Sequence, residues 1–129
     1  MTGKTISYYI GKYRAVYDGL RPEHSPAIGE TVYFNAQGFK HLIFKNNHRR
    51  TNAAIRNRLI LIPLIPSVIK HCKEVTETRT GIETIKGKQT PVTYKALEAN
   101  VGKGGARVKV VVKKVGDKGS WYFLSVMKY

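Results

Sequence analysis

The sequence predicts an α+β domain in which N-terminal helices pack on a C-terminal antiparallel sheet of about four strands. Three observations lead there. Apolar residues recur at spacings of three and four through the first half of the chain, the period of amphipathic helices. The second half changes to stretches rich in Thr, Val and Tyr with an alternation of two, the period of strands. Glycines and prolines punctuate these pieces, with no repeat, low-complexity tract or linker between them. At 129 residues, positions 1–129 read as one basic domain, too short for two comfortable cores.

Ile6, Tyr9, Ile10, Tyr13, Val16 and Tyr17 form one apolar stripe of a short first helix. A loop runs through Arg21, Pro22, Pro26 and Gly29, and Thr31 to Phe34 forms a short strand. Asn35 reads as the N-cap of a helix through Phe39, His41, Leu42, Ile43 and Phe44. Gly38 weakens its first turn. Thr51 or Asn52 caps the segment AAIRNRLIL, which ends near Pro63 because proline lacks a backbone donor. Pro66 suits the first turn of SVIKHC. These pieces are apolar nearly all round and are expected at the centre of the molecule. Glu74 to Thr80 and Thr90 to Ala99 read as strands. ARVKVVVKKV (Ala106 to Val115) alternates base and valine, GDKG (Gly116 to Gly119) turns, and SWYFLSVM (Ser120 to Met127) returns as an aromatic strand.

Lys and Arg total 23 against 8 Asp and Glu, a formal net charge of +15. Such an excess repels itself in the folded state and is tolerated when a polyanion supplies countercharge. Phosphate neutralisation releases condensed counterions, so a nucleic acid, RNA foremost, is the expected partner. Cys72 is the single cysteine, which excludes an internal disulfide and a thiolate zinc cluster. The N-terminal stretch lacks the apolar core of a signal peptide. The run LILIPLIPSVI (Leu59 to Ile69) is broken by Pro63 and Pro66 and falls short of the ~20 residues of a bilayer span. A cytoplasmic protein with no membrane partner is expected. His24, His41, His48 and His71 have no carboxylate or cysteine at ligand spacing, and Asp18, Glu23 and Glu30 show no pairing logic. No metal ion or other cofactor is expected.

The bases cluster. Phe39 to Arg58 contains Lys40, His41, Lys45, His48, Arg49, Arg50, Arg56 and Arg58, and the C-terminal strands add Lys103, Arg107, Lys109, Lys113, Lys114, Lys118 and Lys128. Guanidinium forks grip phosphate in bidentate fashion. Aromatics interleave with them at Phe39, Phe44, Tyr94, Trp121, Tyr122 and Phe123, and unstacked RNA bases stack on such rings. Phe39, Phe44 and Phe123 sit at amphipathic spacing and lean towards the core. Expected nucleic-acid contacts are therefore Lys40, His48, Arg49, Arg50, Arg56, Arg58, Lys113, Trp121 and Lys128, with Arg56 and Arg58 equally able to cap the solvent side of an apolar helix.

With so few carboxylates, cleavage of a phosphodiester would have to proceed without a metal, which RNA permits because its 2′-hydroxyl is an internal nucleophile. A histidine moves the proton, Arg and Lys stabilise the charge on phosphorus, and a strand hydroxyl holds the phosphate. His41, Lys45, Arg49, Arg107, Lys109 and Ser125 are residue types fit for those tasks.

The order of parts resembles the barnase, EndoU, colicin and RelE-like ribonuclease superfamily, especially its phage-associated branch. The matching pieces are GFKHLIFKNNH, LILIPLIPSVIKH and ARVKVVVKKVGDKGSWYFLSVMKY, within roughly residues 31 to 129. The resemblance implies His41 as general acid or base, Arg107 or Lys109 as phosphate ligands, and Ser125 as the hydroxyl of the last strand. Lys45, one helical turn after His41, would share its face. It also implies an endoribonuclease acting on tRNA or rRNA as a toxin or a phage or mobile-element effector, with an acidic inhibitor or antitoxin as a second partner. A non-catalytic RNA- or DNA-binding module is the alternative. Ser125 stands where members often carry threonine, and no tyrosine or glutamate is clearly placed as a second proton-transfer group. Register leaves Ser125 open as well: a four-residue turn sets it opposite Val110 in the core, a three-residue turn opposite Lys109 on the basic face.

Overall fold

The computed structural model describes residues 5–128. The Thr5 side chain accepts from the Tyr8 N–H and starts helix α1 (Ile6–Asp18). Its apolar stripe then packs inward, with Tyr17 fully in the core and Ile6, Tyr9, Ile10 and Tyr13 at the margin. Two short strands, β1 (Glu23–Ser25) and β2 (Glu30–Tyr33), pair antiparallel around Gly29, whose φ of 78° suits glycine. Asn35 caps helix α2 (Ala36–Ile43) by accepting from the Gly38 N–H at 3.2 Å. The helix stops at Phe44, where the chain enters a small hairpin of β3 (Phe44–Lys45) and β4 (His48–Arg49). Asn46 and Asn47 make its turn in the left-handed region, which asparagine tolerates.

Thr51, not Asn52, caps helix α3 (Asn52–Leu59). A 3-10 turn (Ile62–Leu64) follows, and Pro66 lies in the first turn of helix α4 (Ile65–His71). By length and composition alone, the 20 residues Asn52–His71 are apolar enough to cross a membrane. Here the segment bends at its prolines, and Ile55, Leu59, Ile62, Ile65, Val68 and Ile69 are all buried against the sheet.

The second half supplies the expected meander, β5 (Glu77–Ile85), β6 (Lys88–Val101), β7 (Ala106–Val115) and β8 (Trp121–Lys128), each antiparallel to the next. The sheet has six strands rather than about four, in the order β1-β2-β8-β7-β6-β5, and β2 runs parallel to β8. The α+β class therefore stands, but the sheet is mixed and the N-terminal region contributes to it. Val108, Val110 and Val112 of β7 point into the helical side, while Arg107, Lys109, Val111 and Lys113 take the other face.

Two features of β8 shape the surface beside the end of α2. Near its turn, Lys114 faces Trp121 and Val112 faces Phe123, the register of the four-residue turn. A bulge then inserts Leu124, so Val111 faces Ser125. The extra residue turns Ser125 onto the face of Lys109 and Lys113, the face of the three-residue register, but opposite Val111, a partner that neither simple register gives it. The second feature is the approach of α2. A Cβ built on Gly38 would lie 2.6 Å from the Tyr17 hydroxyl and 2.7 Å from both the Phe123 carbonyl oxygen and its ring. The Tyr17 phenol donates to the Asn35 carbonyl at 2.6 Å, and burial pushes its pKa up to about 12, so it stays a donor.

Alanine in a helix interior ordinarily gains about 1 kcal/mol over glycine. At Gly38 the obstacle includes strand backbone, which cannot swing aside. Gly38→Ala is therefore expected to destabilise the fold by about 1–3 kcal/mol, read as a lower urea midpoint with an unchanged slope.

Candidate functional site

The end of α2 carries Leu42 into the core and leaves His41 half-buried on the edge of β8. The β3–β4 hairpin folds back so that the Arg50 N–H donates to the Ile43 carbonyl at 2.8 Å. That return places the Arg50 guanidinium over the helix end, where Nε donates to the His41 carbonyl at 3.2 Å. From α3, Arg58 donates through Nη1 to the Val126 carbonyl at 2.9 Å, beside the bulge. Both guanidinium groups are thus held by neutral carbonyls. Burial lowers the pKa of each, and Arg58 adds to the effect on Arg50.

These groups form one wall of a cleft of about 410 Å³, with Lys45 at its rim. Arg79 and Thr80 of β5 and Tyr94 of β6 form the facing side. Val111, Leu124, Ser125 and Met127 complete the lining, which contains no carboxylate among the described residues. Ser125 is only 5% exposed and brings its hydroxyl to this surface through the bulge.

His41 Nδ1 is, among the described residues, the buried side-chain nitrogen or oxygen without a hydrogen-bond partner. Leaving such a group unmade costs about 1–3 kcal/mol; His41 lines the cleft, but Nδ1 itself is closed off from solvent. Burial, followed by the charges of Arg50, Arg58, Lys45 and Lys113, holds the imidazole below its ordinary pKa. At neutral pH the ring is uncharged and has a lone pair available to accept a proton.

Tyr94 introduces a group that the sequence left unplaced. Its hydroxyl donates to the Glu83 carboxylate. Lys113 donates to the same carboxylate at 2.8 Å, and its ammonium lies 5.5 Å from the Tyr94 ring centroid. Hydrogen bonds from Lys113 and then Tyr94 hold Glu83 below the usual carboxylate range, while burial and the Glu83 contact push the Tyr94 phenol up. Arg79, Thr80 and Glu83 belong to an exposed edge strand whose composition gives no sign of which residues meet a helix end.

Of the expected catalytic set, His41, Lys45 and Ser125 come together. Lys45 does so from β3, because α2 has already ended. Arg107 and Lys109 do not join them. They lie further along β7, where Arg107 pairs with Glu98 at 3.3 Å and Lys109 with Glu77 at 3.5 Å; the arginines that line the cleft are Arg50, Arg58 and Arg79. Among the nucleic-acid contacts, His48 and Arg49 border a shallow hollow that shares Lys45 and Arg50 with the cleft. Arg49 also donates to the Asn52 side chain at 3.0 Å. Lys40 is exposed on α2, and Lys128 is exposed near the end of β8. Arg56 faces away, beside Ile6 and Tyr9 of α1. Trp121 is no stacking platform: it is 3% exposed, donates to Glu30 at 3.0 Å and lies beneath the ammonium groups of Lys95 and Lys114. Phe39 and Phe123 are core as expected, but Phe44, 37% exposed, is not. Among the described residues no group of three or more His, Cys, Asp or Glu is arranged to hold a metal ion. Comparison with protein-family models, with curated proteins and with solved structures returned no match.

The cation cluster dictates how His41 titrates. By NMR its midpoint is expected below about 6.5. Lys45→Met should raise it by removing a positive neighbour, and inorganic phosphate should raise it further by stabilising the imidazolium. A midpoint unmoved by either change would detach His41 from the cluster.

Proposed function

We propose that this protein is a metal-independent endoribonuclease, in which His41 acts as general base on the 2′-hydroxyl of RNA. The observation that carries this reading is a half-buried imidazole, held below its ordinary pKa by burial and neighbouring cations, that lines a cleft with Lys45, Arg50 and Arg58 and with no carboxylate among the described residues. In the proposed step the 2′-oxygen attacks phosphorus while His41 takes its proton. The bond from phosphorus to the 5′-oxygen then breaks, the leaving oxygen takes a proton from water, and a 2′,3′-cyclic phosphate remains. Arg50, Arg58 and Lys45 meet the negative charge that builds on the non-bridging oxygens, in a partly desolvated site where such charges act strongly. Ser125 and Thr80 offer hydroxyl donors to the same oxygens. Tyr94 keeps its proton directed at Glu83 and serves as a wall. DNA lacks the internal nucleophile and is expected to bind without being cut.

The bulged β8 that turns Ser125 towards the His41 cleft supports the likeness to the barnase, EndoU, colicin and RelE-like superfamily. On this reading the enzyme works in the cytoplasm on tRNA or rRNA, as a toxin or mobile-element effector. Restraint by an acidic inhibitor protein seated on the cationic surface belongs to the same proposal.

Incubation with tRNA and rRNA in EDTA is expected to yield discrete fragments ending in cyclic phosphate. His41→Ala should lower the rate by about 10²-fold or more, with RNA affinity and fold retained. Cleavage by that variant at the wild-type rate would remove His41 from the chemistry. Salt-sensitive binding with no fragments from either protein would instead favour a passive RNA-binding module.

A further inference from the structure

A second cleft of about 440 Å³ adjoins the first, and Leu124 lines both. Its character is different. The first is lined by Lys45, Arg50, Arg58 and Arg79, of which Arg79 meets Glu77 at 3.1 Å and the other three meet no acid among the described residues. In the second, Lys113 is neutralised by Glu83 at 2.8 Å, and Ile85, Val115 and Tyr122 supply apolar surface. Tyr122 and Val115 are 40% and 39% exposed, although both are large and lie on the same side of the sheet. Tyr33 packs against Tyr122 with ring centroids 5.9 Å apart, holding that ring in place. The amides of Asn35 and Gln37 stand at the rim. Tyr94 lines the first cleft and its hydrogen-bond partner Glu83 lines the second, so the Tyr94–Glu83–Lys113 cluster forms the ridge between them.

We propose that the second cleft is a nucleobase subsite, holding one unstacked base of the strand whose phosphate lies beside His41. The inference rests on the RNA reading above and deepens it. Charge divides the two cavities as a nucleotide divides itself: for the phosphate, a pocket where Lys45, Arg50 and Arg58 have no acid partner among the described residues, and beside it a charge-cancelled pocket with an aromatic wall for the uncharged ring. The volume lies within the range of small-ligand sites, and stacking on a tyrosine requires no particular base. The substrate must then be unpaired at that nucleotide, because a base held in a duplex cannot enter.

The test measures binding to a 2′-O-methyl oligoribonucleotide, which lacks the free 2′-hydroxyl and stays intact, and to a sugar–phosphate chain of equal length without bases. Tyr122→Ala is expected to weaken binding of the first by roughly tenfold and to leave the second unchanged, while Tyr122→Phe behaves as wild type. Equal binding of the two probes by the wild-type protein, or an equal effect of Tyr122→Ala on both, would overturn the subsite. The assay involves no cleavage, so a failure of the His41 chemistry leaves its result readable. Loss of the subsite with His41-dependent cleavage intact would reassign the exposed apolar surface to a protein partner.

Discussion

Gly38 lets the backbone of α2 rest against the Phe123 carbonyl and the Tyr17 hydroxyl, a separation that no other residue permits. His41 follows one turn later on the same helical face, so the depth at which Gly38 seats the helix also sets the depth of the imidazole. Leu124 bulges from β8 immediately after Phe123, and Ser125 turns to the cleft there. Helix seat and strand bulge therefore occupy adjacent residues of one strand. A glycine that weakens the helix in isolation is what allows the helix to carry a histidine to the sheet.

The cations around that histidine represent a cost held in the fold. Two guanidinium groups are anchored by the His41 and Val126 carbonyls rather than by acids, and each is partly desolvated. After burial itself, their charges are what hold the His41 imidazole below its ordinary pKa. An anion placed among them offsets those charges and stabilises the folded state through binding. Glu98 pairs with Arg107, Glu83 with Lys113, and Glu77 with both Lys109 and Arg79 at the edge of the cleft. Lys45, Arg50 and Arg58 are left in the cleft without an acid partner among the described residues.

Local chemistry was legible in the sequence wherever a residue acts on its own neighbours. Asn35 and Thr51 cap the helices that follow them, Pro66 begins α4, and the valine alternation of β7 marks its buried face. What stayed hidden depends on partners distant in the chain. Glu23–Ser25 has no strand composition and pairs only because β2 lies beside it, while β2 itself is recruited by β8. The Leu124 bulge carries no glycine to announce it, yet it decides the environment of Ser125. Arg107 and Lys109 looked equivalent to Arg50 and Arg58 as charged residue types. Only the folded chain shows that the first pair meets acids across the sheet and that, among the described residues, the second meets none.

The relief of the sheet explains why a cavity opens at that spot. Across four adjacent strands, register aligns Arg79, Tyr94, Lys113 and Tyr122 in one row, which Tyr33 extends onto β2. Cations and rings alternate along it, and Lys113 lies over Tyr94. The neighbouring row reads Glu77, Ala96, Val111 and Ser125, whose last three members are short. Tall side chains beside short ones leave a step on the sheet surface, and the end of α2 closes it from the side with His41. On the opposite side of the tall row lie Gly81, Val92 and Val115, again without long side chains. The row is thus a ridge with a depression on each flank. It separates a flank where charge is left uncompensated from one where Glu83 cancels it, and that separation is a property of strand register before it is a property of any single residue.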